Sequence, residues 1–190
     1  MCIVTVAACS RNDGRTMRAP TGDQSGTVAQ ETTTIPGELV EPGDESTMTL
    51  TGAWIEGGSI EAKHTCAGAN TSPPLLWSGV PSGTVTVALV LSDDDLPSYR
   101  HWVVANIAAT ATELAAGQDI PTAAVAMNSA GKSAYAGPCP PPGSSHTYTL
   151  TLYAVGQQLE VLTGDPADQM INAIENAAID AVSTSFTFSR

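Results

Sequence analysis

Two aspartates at the end of an apolar run and a histidine at the start of the next mark the place where this chain could do chemistry. Side chains alternate faces along a strand, so the stripe Val85, Val87, Leu89, Leu91 carries its parity onto Asp93 and Asp95. His101 opens the next apolar run, His101 to Ile107, and His146 shares a face with Tyr148 at the head of another alternating segment. A carboxylate that accepts a hydrogen bond from an imidazole fixes its tautomer and favours the protonated ring, leaving the other N–H for an anion. A carboxylate could also take an ammonium. Two other readings use the same residues. Asp93, Asp95, His101 and His146 offer hard oxygen and imidazole ligands that suit zinc or manganese, or they are satisfied buried polar groups with the aspartates capping a turn. His64 lies outside these motifs and reads as a surface residue.

The elements that must position these groups are mostly strands. Met48 to Trp54 alternates as a half-buried strand, Gly57-Gly58 turns the chain, and Ile60 to Thr65 reads as a short second strand. Cys66 to Trp77 is a proline-punctuated loop. Thr84 to Leu91, valine-rich and too short for a helix, is the central strand, and Trp102 to Ile107 its partner. Ala108 to Met127 reads as loop with one possible helical turn at Thr112 to Ala116. Ser129 to Ser145, with Pro138-Cys139-Pro140-Pro141-Pro142, must be a shaped loop. His146 to Val155 is a strand. Asp165-Pro166 reads as N-cap and first turn of an amphipathic helix whose stripe Met170, Ile171, Ile174, Ala177, Ala178, Ala181, Val182 packs on the core.

The 190 residues, 42% of them apolar, allow one domain and a tail. A net charge of −12 with only seven Lys and Arg argues against binding nucleic acid or anionic lipid surfaces by charge. No stretch approaches the roughly 20 apolar residues of a spanning helix. The Val6-Ala7-Ala8-Cys9 run resembles a bacterial lipobox, so residues 1–9 read as a truncated signal segment with Cys9 the lipidated residue; an ordinary apolar N-terminus is the alternative. Residues 10–45, rich in Thr, Gly, Glu and Pro, read as a flexible tether, and 46–190 as the folded domain. With Cys2 cleaved and Cys9 lipidated, Cys66 and Cys139 remain as a disulfide pair, or else as two buried free thiols. The localisation expected is the cell envelope, with the cytoplasm as alternative.

The motifs also fall in a familiar order: Thr65-Cys66, Ser72-Pro73-Pro74-Leu75 with Trp77, Asp93-Asp94-Asp95-Leu96-Pro97, His101-Trp102-Val103, Gly137-Pro138-Cys139-Pro140-Pro141, and His146-x-Tyr148. From about Met48 to Arg190 the chain resembles the phosphatidylethanolamine-binding protein family, in its bacterial Raf-kinase-inhibitor-like branch. The resemblance implies a mainly β fold with peripheral helices, its central antiparallel sheet packed on a smaller one, and a C-terminal helix. It implies an anion pocket of Asp93, Asp95, His101, Pro138, Pro140, His146 and Tyr148, taking a phosphate ester or phospholipid headgroup, or else a loop face that inhibits a partner kinase or protease. Asp94 stands where the family usually has proline, which should add charge and loosen the loop, and Thr147 where it commonly has arginine. No G-x-S-x-G, H-E-x-x-H or phosphate-cradling Gly-x-x-x-x-Gly-Lys motif is present. The expectation is therefore a binding protein, not an enzyme, with no cofactor and no metal.

Overall fold

The computed structural model describes residues 47–190. The lipobox with Cys9 and the tether over residues 10–45 lie outside the described residues. Two antiparallel sheets and one helix make up the described part. The smaller sheet joins β1 (Thr49–Thr51), β2 (Leu75–Ser78) and β5 (Glu113–Leu114) in the order β1-β2-β5. The larger joins β3 (Thr86–Asp93), β4 (Arg100–Ala108), β6 (Ala124–Val125), β7 (Ser145–Val155) and β8 (Ala178–Ser189) in the order β6-β4-β3-β7-β8. Helix α1 spans Ala167–Ala177.

The apolar run of β3 is unbroken because both of its faces are covered. Val87, Leu89 and Leu91 join Leu150, Leu152 and Phe186 in a core shared with Leu75 and Trp77 of the smaller sheet. Ala88 and Val90 face the other way, onto a second core that includes Met170, Ile171 and Ile174 of α1. Val85 precedes the strand and is exposed, so the buried stripe is one residue pair shorter than alternation suggested.

Several expected elements differ. Ala62–His64 is a 3-10 turn where a strand was expected, and the first strand is confined to Thr49–Thr51. Leu75 to Trp77, placed at the end of a loop, belongs to β2; the expected helical turn at Thr112 to Ala116 is instead β5, and β6 lies within the expected loop. These short strands carry little periodicity of their own and exist through their partners: Leu50 opposite Trp77, Leu75 opposite Leu114, Val104 opposite Val125. The C-terminal helix stops at Ala177, and Ala178, Ala181 and Val182 lie on β8, paired with β7 from Val155 back to Ser145. Alanines at helical spacing had extended the helical pattern, but Ile179 to Phe188 also alternates by two and a whole strand was waiting to be paired. Pro166, not Asp165, occupies the N-cap; the Asp165 carboxylate accepts from the Leu162 N–H at 2.8 Å.

The outer edge of β8 is partly closed by the 56–60 segment, whose backbone pairs with Ser185 and Thr187. Glu56 fastens it, accepting from both hydroxyls of Thr184 and Ser185 and from the Ser185 N–H. Those hydrogen bonds, Thr184's foremost, hold the Glu56 carboxyl below its ordinary range.

Candidate functional site

Asp93 ends β3 directly opposite Tyr148 on β7. Its carboxylate is 4% exposed and organises everything around it. Oδ1 accepts the backbone N–H groups of Asp95 and Leu96, both at 3.0 Å, which turns the chain out of the strand. Oδ2 faces His146 Nδ1 at 2.8 Å and His101 Nε2 at 3.8 Å. The two imidazoles, contributed by different strands, thus converge on one oxygen.

His101 reaches that oxygen because β4 is bulged. Leu91 pairs with Trp102, yet Ser92 pairs with Arg100, leaving His101 as the extra residue. Strict alternation after Trp102, which packs between the sheets, would send His101 to the helix-covered face. The bulge instead aims it beside Asp93, with its ring edge-on to Tyr148 at 5.3 Å. Arg100, on the opposite face, is tied to Asp168 of α1 at 2.7 Å and to the Pro97 carbonyl at 2.8 Å.

The histidines differ in their fixed partners. His101 Nδ1 meets the Ala136 carbonyl at 2.7 Å, so that nitrogen carries the proton and Nε2 presents its lone pair toward Asp93. Burial is the main influence on the ring and lowers its pKa below the ordinary 6.5, outweighing the Ala136 carbonyl and the Asp93 charge. This corrects the expectation that a carboxylate would hold the ring charged: the fixed partner is a carbonyl, and desolvation wins. His146 matches the expected geometry, donating from Nδ1 to Asp93 Oδ2, and it is the more accessible ring, its side chain 16% exposed.

Asp95 lies beyond the strand and is exposed, so alternation does not place it. Its carboxylate returns to the site by accepting the Thr147 N–H at 2.7 Å. Asp94 tightens the loop that its charge was expected to loosen: its N–H donates to the Thr147 carbonyl at 2.9 Å, and its carboxylate accepts from the Thr149 hydroxyl at 2.8 Å. A proline there would lack the N–H.

Pro138 and Pro140 are buried on either side of Cys139, whose backbone lies beside the Tyr148 hydroxyl. A disulfide joins Cys139 to Cys66, and three hydrogen bonds sew the same loop down: Cys66 N–H to the Pro138 carbonyl, Gly137 N–H to Asn70 Oδ1, and the Tyr135 hydroxyl to the His64 carbonyl. A Cβ on Gly137 would sit 2.3 Å from that His64 oxygen, which excludes any other residue. His64 is therefore no surface residue. It is fully buried, with Nδ1 on the Thr71 carbonyl at 2.8 Å, and it braces the loop from behind.

Tyr148 is fully buried, stacked on Phe186 at 5.5 Å, and its hydroxyl has no hydrogen-bond partner among the described residues. Burial first, then the Asp93 charge, pushes its pKa upward, so it remains a protonated donor. We expect Tyr148→Phe to keep or raise stability by up to about 1 kcal/mol, since it deletes an unpaired buried polar atom. The same variant should weaken anion binding; a urea midpoint lowered in the variant would show that the hydroxyl is paired after all.

The site also uses residues without a sequence signal: the Ala136 carbonyl, the Thr147 N–H, and Phe186 on a strand not anticipated. Tyr99, whose ring lies 4.6 Å from His101, also belongs to the cluster and carries no alternation signal of its own. Oxygen and nitrogen atoms of Asp93, Asp95 and His146 lie within 4.8 Å of one another, close enough for a cation, although each already has a protein partner.

A mainly antiparallel β protein whose ionisable groups converge at one end of its larger sheet is the class that fold and site define. The family model "Phosphatidylethanolamine-binding protein" matches residues 51–189. A UPF0098 protein of Chlamydia pneumoniae is 35% identical, over 74% of this chain and 97% of its own. A Mycobacterium tuberculosis protein designated a candidate lipoprotein, LppC, is 32% identical over 93% of this chain and 86% of its own. Among solved structures, the Chlamydia trachomatis phosphatidylethanolamine-binding protein homologue CT736 superposes with a TM-score of 0.70 at 30% identity, covering 76% of this chain and 99% of that one. Escherichia coli YbcL does so with 0.70 at 28%, covering 75% and 98%. The chain belongs to the phosphatidylethanolamine-binding protein family.

Proposed function

We propose that the cluster at the Asp93 end of the sheet binds a small phosphate ester of the phospholipid-headgroup type, without catalysis. Family membership supports a binding role. The observation that carries the finer reading is the meeting of two imidazoles on one carboxylate oxygen beneath an unpaired, buried Tyr148 hydroxyl. Three nearby aspartates make the cluster hostile to an anion until a ring is protonated. His101, held neutral by burial, is the group whose proton affinity an incoming phosphate would lift, turning Nε2 from acceptor to donor. Binding should therefore take up a proton and tighten as pH falls.

The sign follows from linkage. A base whose pKa is depressed in one state binds fewer protons there, so low pH favours whichever state restores it. Without ligand, the same depression means that His101 contributes stability present above about 6.5 and lost as pH falls through its folded pKa. Glycerophosphoethanolamine, a phosphodiester with no titration of its own in this range, is the suitable probe. By calorimetry, its affinity should rise by about threefold to tenfold between pH 8.5 and 5.5. Unchanged affinity across that range, or none, would remove the reading.

A second reading, capture of a kinase or protease by the same loop face, is favoured by Leu96, an apolar side chain 45% exposed in the turn that Asp93 closes. Partner capture that survives Leu96→Asp would count against it. The likeness to a candidate lipoprotein supports an envelope location with Cys9 as the lipidated residue. Mass spectrometry of the native N-terminus should show acylated Cys9; an unmodified thiol would refute the anchor. No helix among the described residues is long and apolar enough to cross a membrane.

A further inference from the structure

We propose that a second cleft, between residues 70–72, 117–120 and 133–135, binds a neutral polyhydroxylated ligand such as a sugar ring. It encloses about 370 Å³, within the range of small-molecule sites, and none of the Asp93 cluster lines it. Its apolar side combines Ile120 and Val125 with Trp102 and Tyr135, whose rings meet edge-on at 5.5 Å.

The hydrogen-bonding inventory decides the ligand class. Trp54 gives its indole N–H to Thr184, and that of Trp77 is sealed in the core. The Trp102 N–H has no partner among the described residues and is not sealed, so the cleft beside it is where it meets solvent. Asn70 and Gln118 have their oxygen ends occupied, by the N–H groups of Gly137 and Ala115, both at 2.8 Å, which leaves their NH₂ groups free. Ser133 adds a free hydroxyl.

Donors in excess call for a ligand rich in acceptor oxygens and make poor company for an ammonium. Among the described residues the only charged one lining the cleft is Asp119, and together with the net charge of −12 it disfavours an anion. A neutral polyol supplies acceptors to the donors, hydroxyls to Asp119, and C–H surface to the aromatic side. The walls are preformed: Gly117 N–H donates to the Ser72 carbonyl and hydroxyl, both at 3.1 Å, and its φ of +66° suits glycine.

The test uses ¹H–¹⁵N spectra of the full chain, with the Trp102 indole resonance assigned by Trp102→Phe. Methyl α-glucopyranoside and N-acetylglucosamine are the probes, with ethanolammonium and inorganic phosphate for comparison. At least one sugar should shift the Trp102 indole resonance saturably, with a Kd of about 1 to 10 mM, and ethanolammonium and phosphate should not. The double variant Gln118→Ala, Asp119→Ala changes only exposed side chains and should bind at least about fivefold more weakly. The proposal is overturned if neither sugar gives a saturable shift, if ethanolammonium or phosphate gives the larger one, or if the double variant binds as well as wild type.

Discussion

Asp93→Ala should lower folding stability by about 2 to 4 kcal/mol and weaken phosphodiester binding by about tenfold or more. The carboxylate is buried and satisfies the N–H groups of Asp95 and Leu96 together with His146 Nδ1. Removing it leaves those donors unpaired and frees the loop that carries Asp95. Asp93→Asn separates the two effects. An amide oxygen can still accept from Asp95 and Leu96, so most of the stability should survive, but its NH₂ would then face the proton on His146 Nδ1. That ring must flip its tautomer or turn away, and affinity should fall nearly as far as in the alanine variant. Urea unfolding and calorimetry on both variants give the comparison. An asparagine variant that binds like wild type would show that Asp93 shapes the loop without setting the histidine.

Cutting the disulfide should give the opposite pattern. Cys66 and Cys139 close a loop with a sequence separation of 73, which in the chain-entropy model contributes about 4 kcal/mol. Both cysteines are exposed, so a mild reductant should reach them. Reduction, or Cys66→Ser with Cys139→Ser, should therefore lower the urea midpoint substantially. Binding should weaken by less than about threefold, because three hydrogen bonds still hold the Gly137 loop against the 64–70 segment. A tenfold loss of affinity with an unmoved midpoint would reverse this assignment and make the bridge part of the site.

The contrast between these two predictions reflects what each group does. Asp93 faces inward on polar partners that have no alternative, whereas the disulfide restricts mainly the unfolded chain. Asp94 belongs with the first kind on a smaller scale, since its backbone and side chain both clasp β7.

Two central strands were legible without help from the fold: the unbroken apolar run Thr84 to Leu91 anticipated β3, both of whose faces are buried, and the alternation of His146 to Val155 anticipated β7, which buries one. The site's membership was legible too, since Asp93, His101, His146 and Tyr148 are rare polar types at the ends of apolar runs. What alternation could not reveal is how His101 and Asp95 get there. His101 needs a bulge, and a bulge leaves no mark in residue spacing; Asp95 needs the Asp93 turn to bring it back to Thr147. The charge state of His101 was likewise out of reach, because it depends on a carbonyl 35 residues away and on how completely its ring is buried. Local pattern by itself determined that the segments of β3, β4 and β7 are strands and which polar residues end them. Only tertiary structure decided that Ala178 to Ser189 is a strand and not more helix, and that His64 is buried, because both outcomes follow from partners distant in the chain offering hydrogen bonds and cover that no short window of sequence contains.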